Sequence, residues 1–242
     1  MRRGACAAAL LAACACLAAA PEAITPFSKA AAAGVLPAPW TVQGVPRVPL
    51  PELALVDSGN GVVLRSHVHA AAGAAVHPLH AEAEGATLAW RWKIDRVVSA
   101  ADMEMRSGDD FAARVYVFFD VPLESLPFAE RWKVRLGRLL HGDSLPTAAI
   151  CYVWDNRHAP GSTRWSPYSN RVRMVVLESG TARTGTWVAE SRDMAADFRA
   201  AFGREWHGAL PAINGVAAGN DTDQTGEEAT AWFSDLRLEH TR

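Results

Sequence analysis

The chain has 242 residues, of which 50% are hydrophobic and 21% charged, with 24 lysines and arginines against 26 aspartates and glutamates. This composition excludes a disordered tail, a coiled coil and a collagen-like rod. Without the first 20 residues the balance is 22 basic to 26 acidic, a formal charge of −4, so no excess positive field attracts phosphate and nucleic acid is not an expected partner.

Met1-Arg2-Arg3 followed by an uncharged, alanine-rich run to Ala20 has the layout of an export signal, with a charged head and an apolar stretch ending in small residues. The apolar run is shorter than the roughly 20 residues that span a bilayer. The expected location is therefore periplasmic or extracellular, with no transmembrane segment in the mature chain. Leu11-Ala12-Ala13-Cys14 also has the form of a lipobox, in which Cys14 would carry a lipid tether. Cys6, Cys14 and Cys16 lie in this signal, which leaves Cys151 alone: no internal disulfide and no cysteine zinc site can form.

Residues 21–51 are rich in alanine and proline, which work against regular structure, and are expected to form a leader or edge segment rather than core. From residue 52 to residue 240 apolar residues recur with period two between turn-forming residues, the pattern of a single β domain. Strands are predicted at Gly61–Val68, Leu88–Ile94, Ala113–Asp120, Thr147–Trp154, Val172–Glu178, Thr186–Glu190, Ala212–Ala217 and Ala229–Leu238. In the second, Leu88, Trp90, Trp92 and Ile94 share one face, and Arg91 and Lys93 the other. Ala113–Asp120 is apolar at nearly every position, as in a strand covered on both faces. Met194, Phe198, Ala201 and Phe202 form one helical stripe, so residues 193–203 are predicted as a short helix capped by Asp193 and stopped at Gly203. The expected fold is all-β: an antiparallel, jelly-roll-like β-sandwich with this one helix.

Several stretches resemble a secreted bacterial family catalogued as domain of unknown function 3047: Leu88–Ile94, Asp109–Val117, Trp187–Asp193 continuing to Asp197–Gly203, and Asp221–Gly226. Tyr152–Trp154 and Val175–Gly180 fit as well, so the resemblance runs from about Val56 to Leu238. It implies a secreted β-rich domain without a settled activity. In the last stretch, Asp221-Thr222-Asp223-Gln224-Thr225-Gly226, glutamine stands at 224 where the family pattern has asparagine.

The chemistry must then be sought residue by residue. Asp221 and Asp223, with neighbouring hydroxyls and a glycine turn, offer hard oxygen ligands for a structural calcium ion, although the spacing is not that of an EF-hand, and a self-capping turn uses the same residues. Asp109, Asp110, Glu190 and Asp193 are the candidate acid and base of a glycan-active hydrolase or lyase, with ion pairing to Arg114 and Arg192 as the structural alternative. Asp155, Asn156, Trp165 and Tyr168 combine ring faces and hydrogen-bonding groups, as a sugar-binding surface requires. Trp90, Trp92, Trp154, Trp187 and Trp232 fit strand patterns and are expected in the core. His67, His69, His77 and His80 are expected as polar side chains facing water. The leading expectation is an exported binding module for an extracellular or cell-envelope polysaccharide. A carboxylate-dependent glycan hydrolase or lyase and a structural envelope protein are the alternatives.

Overall fold

The computed structural model describes residues 23–122, 124 and 147–240. The expected export signal, with Cys14, lies outside these residues.

Thirteen strands are described: β1 (Thr41–Gly44), β2 (Glu52–Asp57), β3 (Val62–His69), β4 (Ala72–Ala81), β5 (Ala86–Ile94), β6 (Phe111–Phe119), β7 (Ala148–Asp155), β8 (Thr163–Ser166), β9 (Ser169–Ser179), β10 (Val188–Asp193), β11 (Ile213–Asp221), β12 (Glu228–Phe233) and β13 (Arg237–His240). They form two layers. One is a seven-stranded sheet in the order β1-β4-β11-β6-β7-β9-β8; the other runs β10-β5-β12-β3-β2, with β13 continuing beside β5. Pairing is antiparallel except between β7 and β9, which run parallel. The expected two-layer, mainly antiparallel β-sandwich is the observed architecture.

The inner faces follow from period-two alternation. Leu88, Trp90, Trp92 and Ile94 of β5 are buried, while Arg91 is exposed. The Trp92 ring meets Trp90 at 5.6 Å and Trp154, across the sandwich on β7, at 5.8 Å. Ala113, Val115, Val117 and Phe119 of β6 join the same core. Ser66 on β3 donates from its hydroxyl to Asn220 Oδ1 on β11 at 2.6 Å, a buried polar pair that joins the two sheets. The helix α1 (Met194–Phe202) caps one end. Asp193 Oδ1 accepts from the Ala196 amide at 2.9 Å, and Phe198 packs on Phe119 at 4.9 Å.

Four expectations are corrected, and one strand, β4, was not expected. The segment 21–51 is not a separate leader: Ile24, Phe27 and Trp40 are core residues, and β1 extends the seven-stranded sheet beside β4. Strand β4 carries four alanines, a glycine and Pro78, a composition poor in strand formers. Pro78 is tolerated because β1 pairs only with Gly73–Val76 and leaves that flank of β4 open. The closing run Ala229–Leu238 breaks into β12 and β13 because Asp235 turns inward and accepts both the amide (2.9 Å) and hydroxyl (2.6 Å) of Ser28. Finally, Trp187 and Trp232 are half-buried on the outer side of β5, holding the Lys93 ammonium at 5.4 and 4.4 Å from their ring centres. His77 is fully buried, where its Nε2 accepts from the Thr25 amide and desolvation lowers its pKa.

Candidate functional site

Two of the sequence stretches singled out above meet in space. β6 and β11 are hydrogen-bonded neighbours with Phe111 opposite Asp221, so the start of one strand and the end of the other lie side by side. Arg114, fourth in β6, points to the outer face of the seven-stranded sheet, where its guanidinium is almost completely buried. Its Nε donates to Asp221 Oδ1 at 2.7 Å and its Nη2 to Asp221 Oδ2 at 2.5 Å, a two-pronged pair. Nη2 also reaches the Asp109 carbonyl and carboxylate, and Nη1 donates to the Tyr116 hydroxyl at 3.1 Å. Asp110, fully buried, accepts from the Gln224 amide at 3.3 Å and the Thr225 amide at 2.6 Å, which fixes the turn after β11. The departure at position 224 is thereby explained: the residue is held by its backbone, and its side-chain amide donates to Asp223.

The outcome is a compact acidic cluster on one guanidinium. Asp110, Asp221 and Asp223 each place a carboxylate oxygen within 4.8 Å of the others. Burial, with Asp110 and Asp109 close by, pushes the Asp221 carboxyl up to about 7 against the pull of Arg114. Asp223 is raised by burial and by Asp110. The calcium expectation at Asp221 and Asp223 meets an occupied neighbourhood: Arg114 already balances Asp221, and Asp110 spends both oxygens on backbone amides.

Of the four residues read from sequence as ligands, two brace the segment that delivers the acids, one closes its own turn and one lies elsewhere. Asp155 is buried and accepts from the amides of Arg157 (2.6 Å) and His158 (2.7 Å), closing its own turn. Asn156 Nδ2 donates to the carbonyls of Ser99 (2.8 Å) and Ala101 (3.0 Å). Tyr168 is 54% exposed, but its hydroxyl donates to the Arg106 carbonyl at 3.0 Å and the Arg106 guanidinium lies 5.3 Å from its ring centre. Asn156 and Tyr168 thus hold the segment from Ser99 to Arg106 that delivers Asp109 and Asp110. Met103 on that segment is buried in a second apolar cluster with Cys151, Val153, Met174 and Val176, on the outer side of β7 and β9. Burial pushes the Cys151 thiol up to about 12, and it is inert packing. Trp165 belongs elsewhere: on β8 it packs on Phe202 at 5.5 Å and carries the Arg173 guanidinium at 4.8 Å.

Glu190 and Asp193 do not reach the cluster. Asp193 caps α1. Glu190 is half-buried on the edge strand β10, where it accepts from Trp92 Nε1 at 3.1 Å. Burial, and Glu178 after it, pushes its carboxyl up to about 7. An acid whose folded pKa lies above its unfolded value near 4.5 favours the fold when protonated. Its contribution is present below pH 4.5 and is lost as pH rises towards 7. Glu190→Gln keeps an oxygen for Trp92, so the variant is expected to be more stable than the parent at pH 8 by about 1–2 kcal/mol, after a discount for partial exposure, and equal to it near pH 4. Chemical denaturation at the two pH values checks this, and a variant less stable at pH 8 refutes it.

Beside the cluster runs a groove that sequence reasoning missed. Its floor is Gly73, Ala74, Ala217 and Gly219, its far rim is Gln43 to Val45, and its near wall is Arg114, Tyr116 and Phe118, enclosing about 180 Å³. The floor is flat because Gly73, Ala74, Ala217 and Gly219 carry no side chain larger than a methyl group, with Val76 and Asp221 at its ends; a Cβ on Gly219 would collide with the Gly73 carbonyl oxygen. The Tyr116 and Phe118 rings stack at 5.8 Å with 21° between their planes. The signal was present in the alternation of β6, where Arg114, Tyr116 and Phe118 are one face; the expectation of a strand covered on both sides is corrected at this face.

Comparison with solved structures finds similar chains at low identity. The xyloglucanase domain of NopAA, a type three effector from Sinorhizobium fredii solved in complex with cellobiose, is 9% identical over 84% of this chain and 93% of that one, with a TM-score of 0.45. The endo-1,4-β-glucanase CelB2 is 13% identical over 89% and 99%, with a TM-score of 0.45. The endoglucanase 3 of Trichoderma harzianum, from family GH12, is 5% identical over 86% and 100%, with a TM-score of 0.41. No curated protein matches the sequence. Among the described residues no helix is long and apolar enough to cross a membrane. The family model for a protein of unknown function, DUF3047, matches residues 38–237, which include both halves of the acidic cluster and the groove beside it: the chain belongs to that family.

Proposed function

We propose that this protein binds an extracellular or cell-envelope polysaccharide in the groove on the outer face of the seven-stranded sheet. The observation that carries the reading is the juxtaposition of a flat small-residue floor, a stacked Tyr116–Phe118 wall and a fixed acidic cluster at one end. Ring faces suit the apolar faces of pyranose units, and carboxylates suit their hydroxyls. Asp223, the carboxylate not tied to Arg114 or to a backbone amide of another segment, is the group available to a ligand. Binding is favoured over hydrolysis because Asp110 and Asp221 already spend their oxygens on Thr225, Gln224, Arg114 and Phe111. The charged and apolar start of the sequence supports export to the periplasm or exterior, with Cys14 as a lipid tether.

A second reading draws on the same cluster. Carboxyl groups about 5 Å apart, one of them titrating near 7, are what a glycan hydrolase uses. Three oxygens inside 4.8 Å are also what a calcium ion would bridge. Glycan-array binding separates these. Phe118→Ala is expected to weaken the captured glycan about tenfold, the worth of one stacking contact, with little change in melting temperature and no reducing sugar released by the parent. Unchanged binding in Phe118→Ala removes the groove from the function, and product release that Asp223→Asn abolishes establishes the hydrolase. A melting temperature insensitive to calcium and chelator is expected, since Arg114 supplies the counter-charge. Silence towards every glycan leaves the structural envelope role.

A further inference from the structure

At the opposite edge of the seven-stranded sheet, β8 and β9 overhang β10 and α1 and leave a cleft of about 390 Å³ between the layers. Its apolar lining is Val175, Leu177, Ala200 and Ala201. Its polar groups divide into two kinds. Arg192 is closed on itself: it donates to both oxygens of Asp197, at 2.8 and 2.6 Å, and Asp197 also accepts from the Tyr152 hydroxyl at 2.6 Å. Arg173 is different. Its guanidinium lies over Trp165 and donates through Nη2 to the Thr163 hydroxyl at 2.7 Å, yet among the described residues no carboxylate lies within ion-pairing distance of it. Burial, and after it the charges of Arg164 and Arg204, lower its pKa. A partly buried cation repelled by its surroundings, in a chain whose balance is acidic, is a standing vacancy for an anion. Glu190 lines the same cleft and offers an oxygen for a hydroxyl.

We infer that this cleft is a second binding site, for a carboxylate-bearing sugar such as a hexuronate, with the carboxylate forked on Arg173, a ring hydroxyl on Glu190 and the apolar ring face on Leu177 and Val175. The planar guanidinium, already oriented by its stack on Trp165, loses little freedom on taking a bidentate partner. The site is independent of the groove beside the acidic cluster, so either can fail without the other.

The test is calorimetric titration of the full protein with galacturonate oligomers, galactose oligomers and inorganic phosphate. The expected result is that the galacturonate oligomers bind, the galactose oligomers do not, and Arg173→Gln weakens binding about tenfold or more, the loss of one charge-assisted fork. Arg173→Gln removes no ion pair, only the Thr163 hydrogen bond and the contact with the Trp165 ring, so its melting temperature is expected to fall by no more than about 5 °C and its groove ligand affinity to match the parent. Phe118→Ala is expected to leave uronate binding intact. Failure of the uronate to bind, equal binding by Arg173→Gln, or equal binding by the neutral oligomer overturns the site. Phosphate binding as tightly as the uronate overturns the sugar assignment.

Discussion

Replacing Arg114 with Met is expected to destabilise the protein by about 3–5 kcal/mol, because it leaves Asp221 and Asp109 facing one another and Asp110 with no cation between them. For a fold of this size that corresponds to a fall of roughly 6–20 °C in melting temperature. Arg114→Lys keeps the charge but cannot make the two-pronged contact or reach the Tyr116 hydroxyl at the same time, so an intermediate loss is expected. The penalty has a pH signature. Asp221 is held near 7 even with the guanidinium present; removing the guanidinium raises it further, so at pH 5 the carboxyl is neutral and the cost of the missing partner shrinks. The gap between Arg114→Met and parent is therefore expected to be wider at pH 8 than at pH 5. A gap of a degree or two at both pH values would mean that the cluster is loosely solvated and not the rigid end of the groove.

The second large effect is expected in the core. Trp92→Ala empties the largest fully buried side chain on β5, whose ring bridges the sheets through Trp154 and abuts Trp90. The expected cost is about 3–5 kcal/mol, from lost transfer energy and an incompletely collapsed cavity. Trp92→Phe retains much of the volume and is expected to cost less than half of that, while still depriving Glu190 of its indole donor. Urea denaturation of both variants measures the difference, and a Phe variant as damaged as the Ala variant would place the energy in the Trp92–Glu190 hydrogen bond instead of in packing.

These two residues mark what could be read in advance and what could not. The alternation Leu88, Trp90, Trp92, Ile94 names the buried face of β5 without any knowledge of its neighbours, because strand periodicity is local. The two halves of the acidic cluster were also visible, as Asp109-Asp110 with Arg114 and as Asp221 to Gly226. Their meeting was not, since it rests on the pairing of β6 with β11 across about a hundred residues, and strand order has no local signal. Strand β4 was invisible for a related reason: alanines pack well in the middle of a sheet only when neighbours are already there. Asp155 and Asn156 drew attention because a polar pair at a strand end has the same composition whether it meets a sugar or caps its own turn. Only the partners decide, and here they are Arg157, His158, Ser99 and Ala101.

The burial of Ile24 and Phe27 sets a geometric limit on how the protein can be displayed. Any processing that removes the apolar start has to stop before Ile24, or it strips ordered packing from the sandwich. Were a lipid attached at Cys14, the leash between anchor and fold would be residues 15–23, at most about 30 Å when fully extended. On so short a leash the sandwich would hug the bilayer, and only glycan strands passing close to that surface could enter its groove.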